Sequence, residues 1–559
     1  MAPRPIPADI ANYPFDLIVI GAGINGVGIA RDAALRGLKV LLLEKQDIGC
    51  GTSSDSSRLI HGGLRYLEYG EVGLVRESLH ERERLLHTAP HLVKPISVLI
   101  PLYSWNKRKP WKIRVGMIAY DVFSFDKSLE HHHMLTREQM LKRTPGLDPD
   151  GLLGAALYYD GQVDYVERLC LENALSAHNQ GALVLTYARV DKLIVEDNAV
   201  RGVEFTDLLQ GRVHTARALV TVNAAGPWVD QVLDRLNRPV KRMIGGTKGT
   251  HLVVDAFPGA PQDFLHYEAR SDGRAILIIP WNGKYLLGAT DIRYEGDLDH
   301  VEADEREIGY LIEETNRVIP DAHLTRDSVL FDFCGVRPLP YKEKGSEGSI
   351  SRRHIIYDHA PSLQGLISII GGKLTTYRNL SEQTVNKVFK KLGTKAPKCA
   401  TVRILLPGAT VDFPAFSAWF KKRYTSLPEE TAQHLLRVYG KRAIEVVEFA
   451  AQDPDLLQPF SPQTGAIGAE ILMAFEREMA QTLSDVLLRR TMVALDSEVG
   501  QGADEAAAKI AQKYLGWDRT RAQQEVAAYR EYIARLHPRN LVRVEGPIWS
   551  PSSQYNAIP

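Results

Sequence analysis

Hydrophobic and polar positions divide the chain into stretches with different periodicities. Residues 14–20 form an apolar run that ends at Gly21, a small-residue helical pattern follows, and a second apolar run at 39–43 ends at Glu44. Strand, glycine turn, helix and strand in this order predict a βαβ unit of a doubly wound sheet. Apolar runs at 219–223 and 368–370 also end in small residues, so we expect them to be further strands of that sheet.

The remaining stretches predict other architectures. Between about 240 and 330, apolar and polar residues alternate as in an antiparallel sheet, whereas residues 428–541 are rich in Ala, Leu, Glu and Arg at helical spacing. Residues 71–86 carry apolar positions at helical spacing among many charges and predict an exposed amphipathic helix. The predicted fold is α/β (α+β), with a nucleotide-binding domain of 14–88, 151–238 and 330–395, a substrate or cap domain of 89–150 and 239–329, a helical C-terminal domain of 405–541, and a tail of 542–559.

Composition narrows the function classes. The chain has 559 residues, enough for two or three domains, and its 68 basic and 68 acidic residues create no net field that favours nucleic acid. The four cysteines have no metal-ligand spacing, so we expect reduced thiols and no metal site. The N-terminus lacks the apolar core of a signal peptide, and no apolar run is long enough to span a bilayer. These features predict a cytoplasmic protein.

The glycine turn has the spacing of a dinucleotide-binding motif. Gly21 allows the tight turn, Gly23 lets the backbone approach a pyrophosphate, and Gly26 lets the helix lie close to the strand. The helix N-terminus then offers unpaired N–H groups to phosphate oxygens. Glu44, at the end of the second strand, is placed to accept hydrogen bonds from ribose hydroxyls.

The segment 49–66 indicates which nucleotide is bound. It reads GCGTSSDSSRLIHGGLRY and combines hydroxyl side chains and glycines with His61, Arg65 and Tyr66. Such a passage can wrap a second phosphate and bring the last three residues to a substrate. It is typical of a flavoenzyme and not of a nicotinamide enzyme.

These residues resemble those of a known family. Thr52-Ser-Ser, followed by Arg58-Leu-Ile-His61-Gly-Gly-Leu-Arg65-Tyr66, is similar to the FAD-dependent, quinone-linked glycerol-3-phosphate dehydrogenases. The resemblance continues through motifs at 223–228, 248–252, 288–291, 335–339, 371–378 and 488–491, and so covers nearly the whole chain. It implies a flavoprotein with non-covalent FAD that takes a hydride from C2 of sn-glycerol 3-phosphate to flavin N5, forms dihydroxyacetone phosphate and passes electrons to membrane quinone. It also implies peripheral association with the cytoplasmic face of the inner membrane and a possible homodimer.

The glycine motif and the resemblance together predict a cofactor site built from separated pieces of chain. The residues that we expect to bind FAD are Gly21, Gly23, Ile24, Asn25, Gly26, Glu44, Lys45, Thr52, Ser53, Ser54, Ser57, Leu59, His61, Gly62, Gly63, Val190, Ala225, Gly226, Trp228, Asp291, Arg337, Gly372, Lys373, Leu374 and Thr375.

The implied reaction needs a base near the C2 hydroxyl. Imidazole titrates near neutral pH, and the resemblance places the residue that matches His61 at the substrate. His251 is the second candidate, and an assisting arginine or a water is the third.

Cations are needed for the phosphate. Arg337 and Arg352 are favoured because guanidinium groups bind phosphate oxygens bidentately, but Arg353 adjoins Arg352 and a shift of one residue would exchange their roles. The resemblance also places residues matching Arg65, Arg337 and Lys373 in the active site. The expected substrate-binding residues are Arg65, Tyr66, His251, Arg337, Arg352, Lys373 and Thr375, and the expected catalytic residues are His61, Arg65, His251, Arg337 and Lys373.

Residues 103–125 differ in composition from the rest of the chain. They mix five basic residues with several aromatics, and only Asp121 opposes that charge. Cationic tips and aromatic rings suit the surface of an anionic bilayer. The competing interpretation is a solvated basic face followed by a core helix. The run His131–His133 is expected to be a solvated turn and not a metal site.

Three other functions compete with the quinone-linked dehydrogenase. The nearest is a glycerol-3-phosphate oxidase, in which dioxygen takes the electrons and hydrogen peroxide forms. The second is a dehydrogenase for another 2-hydroxy acid, which would need fewer cations. The third is a flavin-dependent sensor or binding module. In such a protein the candidate active-site residues would have no function: His61, Arg65, Arg337 and Lys373.

Overall fold

The computed structural model describes residues 6–125, 128–236, 239–343, 352–451 and 453–542, apart from the side chains of Arg65 and Tyr69. The predicted tail lies outside these residues, except for its first position. The strands are β1 Phe15–Ile20, β2 Val40–Leu43, β3 Leu59–Ile60, β4 Val93–Tyr103, β5 His133–Thr136, β6 Leu152–Val163, β7 Leu183–Leu185, β8 Ala188–Glu196, β9 Ala199–Asp207, β10 Arg212–Asn223, β11 Thr247–Val254, β12 Phe264–Glu268, β13 Ala275–Trp281, β14 Lys284–Gly288, β15 Ile292–Arg293, β16 Val329–Arg337, β17 Ile355–Asp358, β18 Leu366–Ile370, β19 Pro459–Ser461 and β20 Ala466–Ile467.

The helices are concentrated in the C-terminal part of the chain. They are α1 Ile24–Leu35, α2 Val72–Thr88, α3 Pro110–Phe123, α4 Arg137–Arg143, α5 Val166–His178, α6 Val229–Leu233, α7 Glu305–Val318, α8 Tyr377–Lys391, α9 Phe413–Arg423, α10 Glu429–Tyr439, α11 Ala443–Ala450, α12 Gly468–Arg477, α13 Leu483–Asp485, α14 Ala503–Tyr514 and α15 Arg519–Ala534. A π-helical turn, Val486–Arg490, follows α13 directly. Among the described residues, none of the helices has both the length and the apolar character needed to cross a bilayer.

The first sheet is the predicted doubly wound one. Its order is β17-β18-β10-β1-β2-β7, and the five strands from β18 to β7 run parallel. Because β2 lies on one side of β1 and β10 on the other, the strand order reverses at β1, where open α/β sheets bind their ligands. Helix α1 packs against α5 and α8. Because β1, β2, β10 and β18 run parallel, their carboxyl ends lie at one edge of the sheet.

The second sheet has ten strands and lies over that edge. Its order is β15-β11-β14-β13-β12-β4-β6-β3, with β16 paired to β11 and β5 paired to β6. Strands β6 and β16 belong to this sheet, so the predicted domain boundaries at 151 and 330 each fall one strand too early. Both strands are apolar runs that would suit either sheet, and only the pairing partner decides which sheet each strand joins.

In the described part of the chain, the helical region after 405 shares its core with the second sheet. One continuous apolar cluster joins residues of α3, β4 and β16 to residues of α10, α12, α14 and α15. The helix predicted over 71–86 exists as α2, but its predicted exposure is wrong, because Glu81 and Arg82 are buried. Their partners, Arg378 and Asp160, lie about 297 and 78 positions away in sequence, beyond the reach of a periodicity argument.

Candidate active site

A cavity of about 1250 Å³ lies between the carboxyl edge of the first sheet and the second sheet. Its walls come from the glycine turn after β1, the segment after β2, the small-residue turn after β10 and the start of the helix after β18. Strands β11, β12 and β16 and the C-terminal helices close the other sides. Pieces of chain that are far apart in sequence therefore line one cavity.

The glycine turn has the backbone geometry that its spacing predicts. Gly21 has a φ of +100°, and a Cβ there would lie 2.8 Å from the carbonyl oxygen of Ala224. A Cβ on Gly26 would lie 1.8 Å from the carbonyl oxygen of Gly21, so α1 approaches the turn as closely as it does only because Gly26 has no side chain. Gly23 caps α1 without a side-chain hydrogen bond, which leaves the helix N-terminus facing the cavity.

Glu44 is held by two backbone N–H groups. Ala22 donates to its Oε2 at 2.7 Å, and Gln46 donates to its Oε1 at 2.9 Å. The carboxylate lines the cavity beside a helix N-terminus that suits phosphate. Nearby, Asn25 also lines the cavity, and its buried Oδ1 has no hydrogen-bond partner among the described residues. An unmet acceptor, an oriented carboxylate and a helix N-terminus at the cavity fit an adenine dinucleotide.

The segment 49–57 is anchored by its hydroxyl groups. Ser53 Oγ accepts from the Ile24 N–H at 3.0 Å, and Thr52 Oγ1 donates to the Val336 carbonyl at 2.7 Å. Both side chains line the cavity. Ser54 instead donates to the carbonyl of Gly49 and does not line it, so its role is to hold the loop.

The two candidate bases line the same cavity in different settings. His251, on β11, is buried, stacks on Phe333 at 5.1 Å and has its Nε2 2.8 Å from Ser57 Oγ. Burial, with Arg337 and Arg58 nearby, lowers its pKa to about 3. His61, just after β3, is half-buried, and burial together with Lys373 and His266 holds its pKa well below the usual value. Both rings are therefore neutral at physiological pH.

Lys373 and Thr375 hold the backbone of His61. The backbone N–H of His61 donates to Thr375 Oγ1 at 3.1 Å, and Lys373 Nζ donates to the backbone carbonyl oxygen of His61 at 3.5 Å. Lys373 also donates to Ser78 Oγ at 2.9 Å, and its Nζ sits 4.6 Å from the centre of the Tyr66 ring. Burial lowers the pKa of Lys373 to about 7, although Asp160, Glu77 and Glu71 oppose the shift. This ammonium group therefore gains and loses its proton near neutral pH.

Asp291 bridges the two arginines predicted for the phosphate. Its Oδ1 lies 3.2 Å from Arg337 Nη1, and its Oδ2 lies 3.2 Å from Arg352 Nη2. Burial raises the pKa of Asp291, but the two guanidinium groups outweigh it and the net shift is downward. One carboxylate for two guanidinium groups leaves a net positive charge, which suits an anionic ligand. Arg353 is exposed and does not line the cavity, so the structure places Arg352 and not its neighbour in this cluster.

A buried network behind His61 was not anticipated from sequence. The Gly62 N–H donates to Tyr120 Oη at 3.0 Å, Tyr120 donates to Asp160 at 2.8 Å, and Arg82 Nη1 donates to Asp160 Oδ1 at 2.7 Å. A Cβ on Gly62 would lie 2.4 Å from Tyr120 Oη. The network fixes the turn that carries His61. Its members come from α2, α3 and β6, and no local pattern connects them.

The cavity contains most of the residues singled out from sequence. Three of them lie behind the wall and not on it: Gly26, Ser54 and Gly62. The side chain of Arg65 lies outside the described part of the structure. Six lining residues that the sequence analysis did not connect with the cofactor come from the C-terminal helical region: Thr482, Ser484, Arg489, Glu525, Ala528 and Tyr532.

Comparison with known sequences agrees with the chemistry of this cavity. Residues 16–378 match the sequence model of a family described as FAD dependent oxidoreductase. Residues 399–522 match the C-terminal domain of alpha-glycerophosphate oxidase. The protein is thus an FAD-dependent oxidoreductase, and FAD is its cofactor.

Individual relatives show which FAD-dependent oxidoreductases the chain is similar to. The chain is 48% identical over 538 residues to a glycerol-3-phosphate dehydrogenase of Synechocystis, covering 94% of this chain and 97% of that protein. It is 39% identical to the D-erythritol 1-phosphate dehydrogenase of Brucella abortus, covering 85% and 94% respectively. The crystal structure of the glycerol-3-phosphate dehydrogenase from Bacillus halodurans with FAD matches with a TM-score of 0.77 and 29% identity, covering 96% of this chain and 98% of that one. The chain therefore belongs to the family of FAD-dependent oxidoreductases that includes these glycerol-3-phosphate dehydrogenases.

Proposed function

We propose that the protein oxidises sn-glycerol 3-phosphate to dihydroxyacetone phosphate and passes the electrons to membrane quinone. The observation that carries this proposal is the cluster of Arg337, Asp291 and Arg352, which lines the same cavity as His61 and Lys373. Two guanidinium groups and an ammonium group suit a phosphate dianion, and a neutral imidazole suits removal of a hydroxyl proton. The relatives named for glycerol 3-phosphate and for D-erythritol 1-phosphate both act on a phosphorylated polyol.

Some of the cavity residues bind the substrate, and others serve proton transfer. Arg337 and Arg352 bind phosphate oxygens, and Asp291 holds both guanidinium groups in place before the substrate arrives. An imidazole nitrogen of His61 takes the proton of the C2 hydroxyl while the hydride leaves C2, so the carbon becomes a ketone. FAD, when bound, supplies the hydride acceptor. Lys373 and Thr375 keep the backbone of His61 in place.

The cofactor is assigned to the walls described above. The glycine turn and the N-terminus of α1 hold the pyrophosphate, and Glu44 holds the ribose. His251, with its Nε2 engaged by Ser57, contributes shape and a polar edge to the substrate end of the cavity, and we assign the base to His61.

The exposed surface of α3 is the basis for proposing membrane quinone as the electron acceptor. This helix buries Ile113, Met117 and Tyr120, yet its opposite side exposes an apolar stripe that continues into the following turn: Trp111, Val115, Ile118, Val122 and Phe125, each at least half exposed. Lys109, Lys112 and Arg114 flank the stripe. A helix with two apolar faces and a basic flank suits the headgroup region of an anionic bilayer, where quinone is available. We extend the resemblance to peripheral association with the cytoplasmic face of the inner membrane and to a homodimer.

An oxidase is the second candidate, and one observation favours it. The match of residues 399–522 is to the C-terminal domain of alpha-glycerophosphate oxidase. The acceptor decides between the two activities, since the substrate half of the reaction is the same.

Anaerobic reduction of the flavin tests the proposal. Purified holoprotein is mixed with glycerol 3-phosphate without oxygen while the flavin absorbance is followed, and the sample is then divided between a soluble quinone analogue and dioxygen. We expect bleaching, then fast recovery with quinone and slow recovery with dioxygen. Fast recovery with dioxygen would establish the oxidase, and bleaching by D-erythritol 1-phosphate but not by glycerol 3-phosphate would replace the substrate.

A further inference from the structure

The paired arginines of the C-terminal motif at 488–491 both bind a single carboxylate next to the cofactor site. Arg490 Nη1 and Nη2 donate to the two oxygens of Asp47, each at 2.8 Å, and Arg489 Nε donates to Asp47 Oδ2 at 2.6 Å. Asp47 and Arg490 are fully buried, and Arg489 is nearly so. Burial alone would raise the pKa of Asp47, but Arg490 and Arg489 lower it to about 2, so the carboxylate is charged at all physiological pH values.

The two arginines lie on an unusual backbone. They end the π-helical turn Val486–Arg490, which the Thr491 N–H closes by donating to the Val486 carbonyl at 2.9 Å. Neighbouring residues of a regular helix point in different directions, and a π-turn changes that spacing. Single π-turns inside helices are found frequently at functional sites.

Asp47 is the second residue of the passage that we call the cofactor-wrapping segment, residues 46–57. Gln46 donates to Glu44, Ser53 accepts from the N-terminus of α1, and Ser57 contacts His251. Most residues of this segment line the cavity, and Arg489 of the C-terminal region lines it too. The ion cluster therefore reaches the cavity through Arg489, and Asp47 directly follows the lining residue Gln46.

A second set of hydrogen bonds joins the cofactor-wrapping segment to the C-terminal region. Tyr187 donates its N–H to the Gln46 carbonyl at 2.9 Å and its hydroxyl to Asp485 at 2.7 Å, and Asp485 accepts from Arg489 Nη2 at 3.0 Å. Residues 46–47 are thus held from both sides by groups that meet at Arg489. A segment held this way cannot move away from the cofactor without breaking buried charge pairs, which is costly.

We propose that Asp47, Arg489 and Arg490 are positioning residues through which the C-terminal helices hold the cofactor-wrapping segment against FAD. The proposal assigns the C-terminal region a role in cofactor retention, and it rests on FAD binding alone, independent of the substrate and of the electron acceptor. None of the three residues needs to touch the reacting atoms.

The test is the affinity of the apoprotein for FAD. The variants are Asp47→Asn, which removes the shared charge, and Arg490→Lys, which keeps the charge but loses the two-oxygen contact. The control is Arg530→Gln, which removes the buried contact of Arg530 Nε with Asp504, 2.7 Å long, between α14 and α15. Each apoprotein is titrated with FAD while flavin fluorescence is followed, and its unfolding temperature is recorded.

We expect Arg490→Lys and Asp47→Asn to raise the Kd for FAD at least tenfold, with the KM for glycerol 3-phosphate of the FAD-saturated enzyme within twofold of the parent. Arg530→Gln should lower the unfolding temperature and leave the Kd for FAD within twofold. If Asp47→Asn does not fold, Arg490→Lys decides. A Kd within twofold of the parent for Arg490→Lys, or an equal loss of FAD affinity in Arg530→Gln, would overturn the proposal.

Discussion

Ser57 Oγ lies 2.8 Å from His251 Nε2. This contact ties up one ring nitrogen of His251, and the stacked Phe333 fixes the plane of the ring. His61 lines the same cavity, and Lys373 and Thr375 contact its backbone. The two histidines therefore have different environments, which ranks them as bases.

The first prediction concerns His61. His61→Asn should keep the flavin spectrum, since the FAD walls are unchanged, and slow reduction of the flavin by glycerol 3-phosphate by about 100-fold, the typical contribution of a general base. Stopped-flow absorbance measures this rate. His251→Asn is the matched control and should slow reduction by less than about tenfold; the reverse ranking would transfer the base to His251.

The second prediction concerns the phosphate. Arg352→Ala and Arg337→Ala should raise the KM for glycerol 3-phosphate, because each guanidinium group binds phosphate in the ground state and the transition state alike. Arg353→Ala removes a neighbouring exposed arginine that does not line the cavity and should leave the KM unchanged. Steady-state kinetics distinguishes the three variants. An effect of Arg353→Ala equal to that of Arg352→Ala would remove Arg352 from the site.

The third prediction is the pH dependence of kcat/KM, which reports groups of the free enzyme. Lys373 has a pKa of about 7 and binds an anion only when protonated, so kcat/KM should fall as the pH rises through 7. The His61 pKa is held well below 6.5, so the acidic limb, where the base becomes protonated, should lie well below that value. Lys373→Arg keeps its proton and should move the alkaline limb upward. An alkaline limb that stays in place in this variant would assign it to another group.

The fourth prediction concerns the stripe on α3. The double variant Trp111→Ser, Val122→Ser should weaken binding to vesicles that contain anionic lipid, because it removes apolar surface from the proposed membrane face. Flotation of the holoprotein with vesicles measures the bound fraction. Trp419→Ser, at a half-exposed tryptophan on α9, is the control and should bind normally. Normal binding by the double variant would place the membrane contact elsewhere.

The fifth prediction compares two glycines. Gly26→Ala would put a Cβ 1.8 Å from the Gly21 carbonyl oxygen, so it should abolish FAD binding or folding. Gly73, in α2, has no atom within 4 Å of its Cβ position, so Gly73→Ala should stabilise the protein by up to about 1 kcal/mol. Thermal unfolding measures both. A destabilised Gly73→Ala variant would mean that the helix start is strained.

Some parts of the fold were readable from local pattern. The βαβ unit at 14–44 and the helices after 405 follow from apolar spacing, because strand and helix periodicities are properties of neighbouring residues. The helix at 71–86 was located by the same rule, but its exposure was not. In the sequence, Glu81 and Arg82 have the pattern of solvated charges. In the fold, Glu81 pairs with Arg378 and Arg82 pairs with Asp160.

The amino-acid sequence by itself determined the glycine turn, which depends on residue types at fixed local spacing, and its motifs indicated the class of cofactor and the candidate bases and cations through their resemblance to a known family. Only the tertiary structure decided that β6 and β16 join the second sheet, that Arg352 and Arg337 share Asp291, and that Arg489 and Arg490 reach Asp47 across more than 440 positions. The physical reason is that ion pairs and strand pairing depend on distance in space. Local patterns carry no information on which distant partner completes a buried charge.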